Sequence, residues 1–149
     1  MWATAADRLR RGRRTPPVRV LLPPALVVAL VAACSQGSFD RTASDTASTL
    51  LGAAATLEFV HAGKATVPYG RAAFVEYGSR LDGVADELAT LPGAPPRAEA
   101  QGLVALVRAA TAVVDDPCLD RTCDWQRQQR ILESAGRALL AASGGQGGG

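Results

Sequence analysis

The chain has 149 residues, of which 48% are hydrophobic and 20% are charged, and its formal net charge is +2. Residues 1–33 contain six arginines against Asp7 alone, so the remainder carries 10 basic and 13 acidic residues and a formal charge of −3. Because the part from Cys34 onward lacks an excess of positive charge, it has no basic surface for nucleic acid, which is excluded as a partner.

The first predicted element is an export signal. Six arginines within the first 19 residues precede residues 20–33, a run without charge, and this layout is typical of an export signal. A transmembrane helix needs about 20 apolar residues. The run here is shorter and is interrupted by Pro23 and Pro24, so we expect it to direct export and then be removed.

The apolar run ends in Val31-Ala32-Ala33-Cys34, which resembles the lipobox of bacterial lipoproteins: an aliphatic residue and two small residues before a cysteine. The resemblance covers only the signal, and it implies cleavage between Ala33 and Cys34 with a diacylglyceryl group on the Cys34 thiol. Two acyl chains form a durable anchor, since each buried CH₂ contributes about 0.8 kcal/mol. The expected location is therefore the extracytoplasmic face of the cell membrane. An ordinary secretory signal with a coincidental cysteine is the alternative.

The region after the signal is predicted as three segments. Residues 34–44 are polar with little apolar patterning, which indicates a lipidated flexible tether, and about ten residues of coil span roughly 18 Å. Residues 45–142 form the predicted helical domain. Residues 143–149 are rich in glycine, so we expect a disordered tail.

Four helices are predicted in the domain, because apolar side chains recur at offsets of three and four and strand-like alternation is absent. Proline and glycine pairs mark their ends. The predicted bounds are 45–62, 66–91, a third helix between Pro95-Pro96 and Pro117, and a fourth from a cap at Asp120 or Thr122 to residue 142. Short connections favour antiparallel neighbours, so the predicted fold class is all-α, an antiparallel up-down four-helix bundle.

Cys118 and Cys123 are predicted to form a disulfide. With Cys34 carrying lipid, they are the remaining pair, and such a pair oxidises outside the cytoplasm. A metal or redox site is the alternative. Zinc usually takes four ligands, but His61 is the only histidine, and the spacing differs from the C-x-x-C of redox motifs. We therefore expect no metal site.

The chemistry-bearing residues do not form a recognised catalytic pattern. His61 is a candidate general base, but no serine or cysteine nucleophile with an acidic partner stands in a known motif. The glycine-rich nucleotide-binding motifs do not occur in the sequence. The chain is therefore not predicted to be an enzyme, and we expect no catalytic residues and no cofactor.

Two functions remain for the predicted domain. The first is a protein-interaction or structural module of the cell envelope that docks to an envelope protein through a helix face. The alternative is a protein that holds a small apolar ligand between its helices. The residues that would line such a ligand are Tyr69, Phe74, Tyr77 and Trp125. Packing in the core is the competing explanation for these aromatic residues.

Overall fold

The computed structural model describes residues 24–120 and 122–144, with side chains from residue 38 onward. The helices are α1 (Pro24–His61), α2 (Val67–Leu81), α3 (Val84–Leu88), α4 (Arg97–Asp115) and α5 (Trp125–Gly144). This part of the chain contains no strand, and none of its helices is both long and apolar enough to cross a membrane. The predicted signal lies mostly outside the described residues.

The four long helices form an up-down bundle. Each packs against the next long helix in the chain, and α5 returns against α1 to close the bundle. Trp125 at the start of α5 contacts His61 at the end of α1. Gly136, about three turns further along α5, lies near Leu51, which precedes His61 in α1. The two helices are therefore antiparallel. The predicted all-α four-helix bundle is confirmed.

The core consists of the apolar stripes that the helical spacing predicts. The largest side chains with almost no exposed surface are Phe39, Leu50, Leu57, Leu88, Val107, Leu132 and Leu139. Leu106 is an exception: it follows Leu103 at the offset of three that predicts a place on the apolar stripe, but it lies on the surface of α4. A bundle helix buries only part of its circumference, so a residue at the stripe's edge reaches solvent.

The predicted flexible tether is wrong over residues 38–44. This segment continues α1, and Phe39 and Ala43 are buried in the core together with Ala47. These three residues recur at an offset of four, the spacing of one helix face. The polar residues between them concealed this stripe. The predicted cleavage site before Cys34 falls in the part of α1 whose side chains are not described.

The predicted second helix is two helices in the structure. α2 ends at Leu81, and α3 begins at Val84 after Gly83, whose φ of 73° lies in the left-handed region. A left-handed residue cannot continue a right-handed helix, and glycine adopts this conformation without steric cost. The break turns the chain before α4.

The structure differs from the prediction at both ends of the last helix. Asp124 caps α5, because its Oδ1 accepts a hydrogen bond of 2.9 Å from the backbone N–H of Arg127. The predicted caps, Asp120 and Thr122, instead bond to each other in the preceding loop. At the other end, α5 continues through Gly144, so the predicted disordered tail is wrong for residues 143–144, and residues 145–149 lie outside the described part.

Candidate functional site

The loop between α4 and α5 contains the predicted disulfide. Cys118 and Cys123 are joined in the structure, with their Cα atoms 5.9 Å apart. Cys118 is buried and Cys123 is exposed. The end of the bundle that holds this loop, together with His61 and Trp125, is called the disulfide end below.

Three parts of the chain are held together at the disulfide end. Nε2 of His61 lies 2.8 Å from the backbone oxygen of Cys118, and because a carbonyl oxygen only accepts, Nε2 is the donor. The imidazole also stacks on the Trp125 indole, with ring centroids 4.6 Å apart. Gln128 accepts from the Cys118 N–H at 2.7 Å and donates to the Asp116 oxygen at 2.9 Å. These contacts fix the loop against α1 and α5.

Asp120 lies inside the disulfide ring and stays ionised. Its Oδ1 accepts hydrogen bonds from the hydroxyl and the backbone N–H of Thr122, at 2.7 and 3.0 Å. These bonds lower the pKa of Asp120 below its usual value, the bond from the hydroxyl most strongly. A ligand oxygen of Asp120 and the two cysteine sulfurs lie within 4.8 Å of one another. Sulfurs bonded to each other are not thiolates, the form that binds metal ions.

A groove of about 500 Å³ lies between α2, the end of α4 and the disulfide loop. We call it the α2–α4 groove. Its lining residues are Val67, Arg71, Phe74, Val75, Gly78, Ser79, Val114, Asp115, Asp116, Pro117, Leu119 and Asp120. Phe74, Val114 and Leu119 are buried and form the apolar floor, whereas the charged residues are exposed at the rim.

Two apolar side chains of α2 along this groove are exposed to solvent. Val67 and Val75 lie two turns apart with Arg71 between them, and Val75 is 72% exposed. Gly78 also lines the groove, and a Cβ at this position would have only ordinary contacts with Val114 and Asp115. The surface therefore combines exposed apolar side chains with space beside them.

The four predicted ligand-lining residues do not surround one cavity. Phe74 lines the α2–α4 groove, whereas Tyr77 lines a separate depression between α1 and α2 and has its hydroxyl 3.0 Å from Thr56 Oγ1. Trp125 lines a third depression beside His61, and Tyr69 is 62% exposed. Phe74 and Tyr77 alone are in contact, edge to face at 5.7 Å.

The rim of the groove was the feature that sequence reasoning missed. No site was predicted at Asp115, Asp116 or Arg71, and Asp120 was predicted only as a helix cap. The available signal was the run of acidic residues at the end of a predicted helix. What the sequence did not indicate was that α2 would lie beside them and supply Arg71, Phe74 and an apolar floor.

No protein-family model, curated protein or solved structure matches this chain. What the protein does is therefore inferred from its own residues and their geometry. Among the described residues, the α2–α4 groove brings apolar and charged side chains together, and it is therefore the candidate site.

Removing the disulfide should lower stability without changing the fold. For the Cys118→Ala/Cys123→Ala protein we expect a free energy of unfolding about 2 kcal/mol smaller, because so short a ring restricts the unfolded chain only modestly. Urea unfolding followed by circular dichroism measures this difference. Ser48→Ala/Ser79→Ala, at two exposed helical positions outside this loop, is the matched control and should unfold like the parent. Coincident curves for the parent and the double variant would contradict the stabilising role.

Proposed function

We propose that this chain is a lipoprotein of the cell envelope, whose helical bundle is anchored by lipid on Cys34 and acts as a protein-interaction module outside the cytoplasm. The observation that carries the proposal is Val31-Ala32-Ala33-Cys34, placed after an arginine-rich segment and an apolar run. The Cys118–Cys123 disulfide supports the same compartment, since cytoplasmic thiols are kept reduced.

The position of Phe39 indicates how the bundle would be held. Phe39 is in the core and is five residues after Cys34. Five residues span at most about 18 Å even when fully extended, so this end of the bundle would stay close to the lipid headgroups. His61 follows 22 residues later in α1, about 33 Å along the helix. The disulfide end would therefore face away from the membrane.

Several features favour a surface that meets another protein. The α2–α4 groove is open to solvent, whereas a site for a small apolar ligand buries most of the ligand's surface. The aromatic residues expected to line such a ligand are spread over separate depressions. His61, the only histidine, is already engaged by Trp125 and Cys118, which supports a structural role for it.

The anchoring is tested with the Cys34→Ser protein, expressed as the full chain in bacteria fed an alkyne-labelled fatty acid. The parent should incorporate the label and sediment with membranes. The variant should lose the label completely, because serine offers no thiol for the diacylglyceryl group. Cys118→Ser/Cys123→Ser is the matched control and should keep the label. A labelled Cys34→Ser protein would contradict the anchor.

The interaction role is tested separately by native mass spectrometry of the parent protein, gently solubilised from membranes. We expect a stoichiometric protein partner to remain bound. A retained small molecule in place of a protein would support the alternative, an apolar ligand held between the helices, and would contradict the interaction module.

A further inference from the structure

We propose that the α2–α4 groove binds a basic, amphipathic peptide segment of an extracytoplasmic partner protein. This inference rests on the proposed interaction function and adds the face that is used and the chemistry of the partner. It is carried by the combination of an apolar floor, an acidic rim and two exposed valines of α2.

The apolar part of the groove would accept the partner's apolar side chains. Phe74 and Leu119 supply buried surface at the floor, and Val67 and Val75 supply apolar surface that is now in contact with water. Covering Val75 removes apolar area from solvent, which is the general driving force of association. Gly78 adds no side chain to this part of the groove lining.

The rim is negatively charged. Asp115, Asp116 and Asp120 outnumber Arg71 among the lining residues. The ion pairs of the described residues join other groups: Arg80 to Glu76, Arg108 to Asp86 and Arg137 to Glu133.

Two of the three rim carboxylates also lie in an unfavourable field. Asp115 is the last residue of α4 and Asp116 is its C-cap, so both carboxylates stand at the negative end of the helix dipole. A bound cation would relieve this repulsion and pair with the carboxylates. Charge complementarity therefore selects a basic occupant over an acidic one. A neutral apolar ligand would cover the floor but leave the rim charges without partners.

The position of the groove fits a partner outside the membrane surface. It extends along α2 from Val67 to Ser79, in the part of the bundle toward the disulfide end. With Cys34 as the anchor, this part lies away from the lipid headgroups. A basic segment of a neighbouring protein could reach it without entering the bilayer.

The proposal is tested with a fluorescent peptide of alternating arginine and leucine, added to the full lipidated protein in nanodiscs of zwitterionic lipid. Empty nanodiscs are the reference, and a glutamate–leucine peptide is the charge control. We expect saturable binding of the arginine peptide only, weakened about tenfold between about 0.05 and 0.5 M NaCl because salt screens exposed charges. Equal binding of the two peptides would overturn the proposal.

The acidic rim is tested with Asp115→Asn/Asp116→Asn, and the matched control is Glu87→Gln/Glu99→Gln, which removes the same charge from exposed residues outside the groove. We expect the rim variant to bind the arginine peptide about tenfold more weakly than this control. Equal affinities would overturn the role of the rim.

The floor is tested with Gly78→Leu, which fills the groove while favouring the helix, since glycine is a poor helix former. The matched control is Gly102→Leu, because Gly102 also lies in a helix but has open space around it. Circular dichroism establishes that both are folded. Binding should be lost in the Gly78 variant alone, and retained binding would overturn the groove as the site.

The two proposals fail in different ways. If the arginine peptide does not bind but fatty-acid labelling of Cys34 persists, the groove assignment is overturned and the anchored module stands. If Cys34 is not labelled, the peptide is added to the purified full chain without nanodiscs; binding that depends on Asp115 and Asp116 would then overturn the anchor and leave the groove standing.

Discussion

Replacing Phe39 with alanine should lower the free energy of unfolding by about 3–5 kcal/mol, the usual cost of removing a buried phenylalanine side chain. Phe39 is 1% exposed and packs in the core between α1 and its neighbours. Phe59→Ala is the matched control. Phe59 lies on the same helix but is 47% exposed, so its replacement should cost no more than about 1 kcal/mol.

This comparison decides between a folded and a flexible segment after Cys34. In a flexible tether, the Phe39 side chain would be in water in both the folded and unfolded states, and its removal would leave stability unchanged. Urea unfolding monitored by circular dichroism measures both variants. Equal, small changes for Phe39→Ala and Phe59→Ala would contradict the extension of α1 into the core.

Replacing Gly136 with valine should lower the free energy of unfolding by about 3 kcal/mol, the upper end of the usual cost of overpacking a core. At Gly136 a Cβ atom would lie 2.8 Å from Leu51 Cγ and 3.3 Å from the backbone oxygen of Ala47. The backbone oxygen cannot move without shifting α1. The two helices approach closely here because glycine has no side chain.

Gly102→Val is the matched control for this effect. Gly102 lies in α4, and no atom would lie within 4 Å of an added Cβ. The substitution should change the free energy of unfolding by less than about 0.5 kcal/mol, as expected for a surface site. Equal destabilisation at both positions would attribute the cost to valine in a helix rather than to the contact between α1 and α5.

The helical bundle itself could be predicted because its stripes are regular. Leu50 and Leu57 lie two turns apart in α1, Leu132 and Leu139 do the same in α5, and all four are buried. Such spacing depends only on the pitch of the helix, so it is visible in the sequence. Stops at proline and glycine made most helix ends predictable as well.

The features that sequence reasoning missed depend on contacts between distant segments. Phe39 is an isolated large apolar residue in a polar stretch, and only the packing of α5 against α1 shows that it is in the core. Gly136 received no role from the sequence, whereas in the structure it allows the close approach of Leu51. Gly83 was expected inside a helix, but its left-handed backbone ends α2.

The candidate site was predictable in part. The Cys118–Cys123 pair followed from the number of cysteines and the expected compartment. The stacking of His61 on Trp125 could not be predicted, because the two residues are far apart in the chain and meet only when α1 and α5 pack together. The sequence shows the acidic residues of the rim, but it does not show that they form one surface. That surface exists only because α2 lies beside the end of α4.

The most direct test of the account is the intact mass of the native polypeptide extracted from bacterial membranes. The anchored-module proposal predicts a chain that begins at residue 34 and carries a diacylglyceryl group, with two hydrogens fewer for the Cys118–Cys123 disulfide. A mass that includes residues 1–33, or a chain that begins at Cys34 without added lipid, would contradict it.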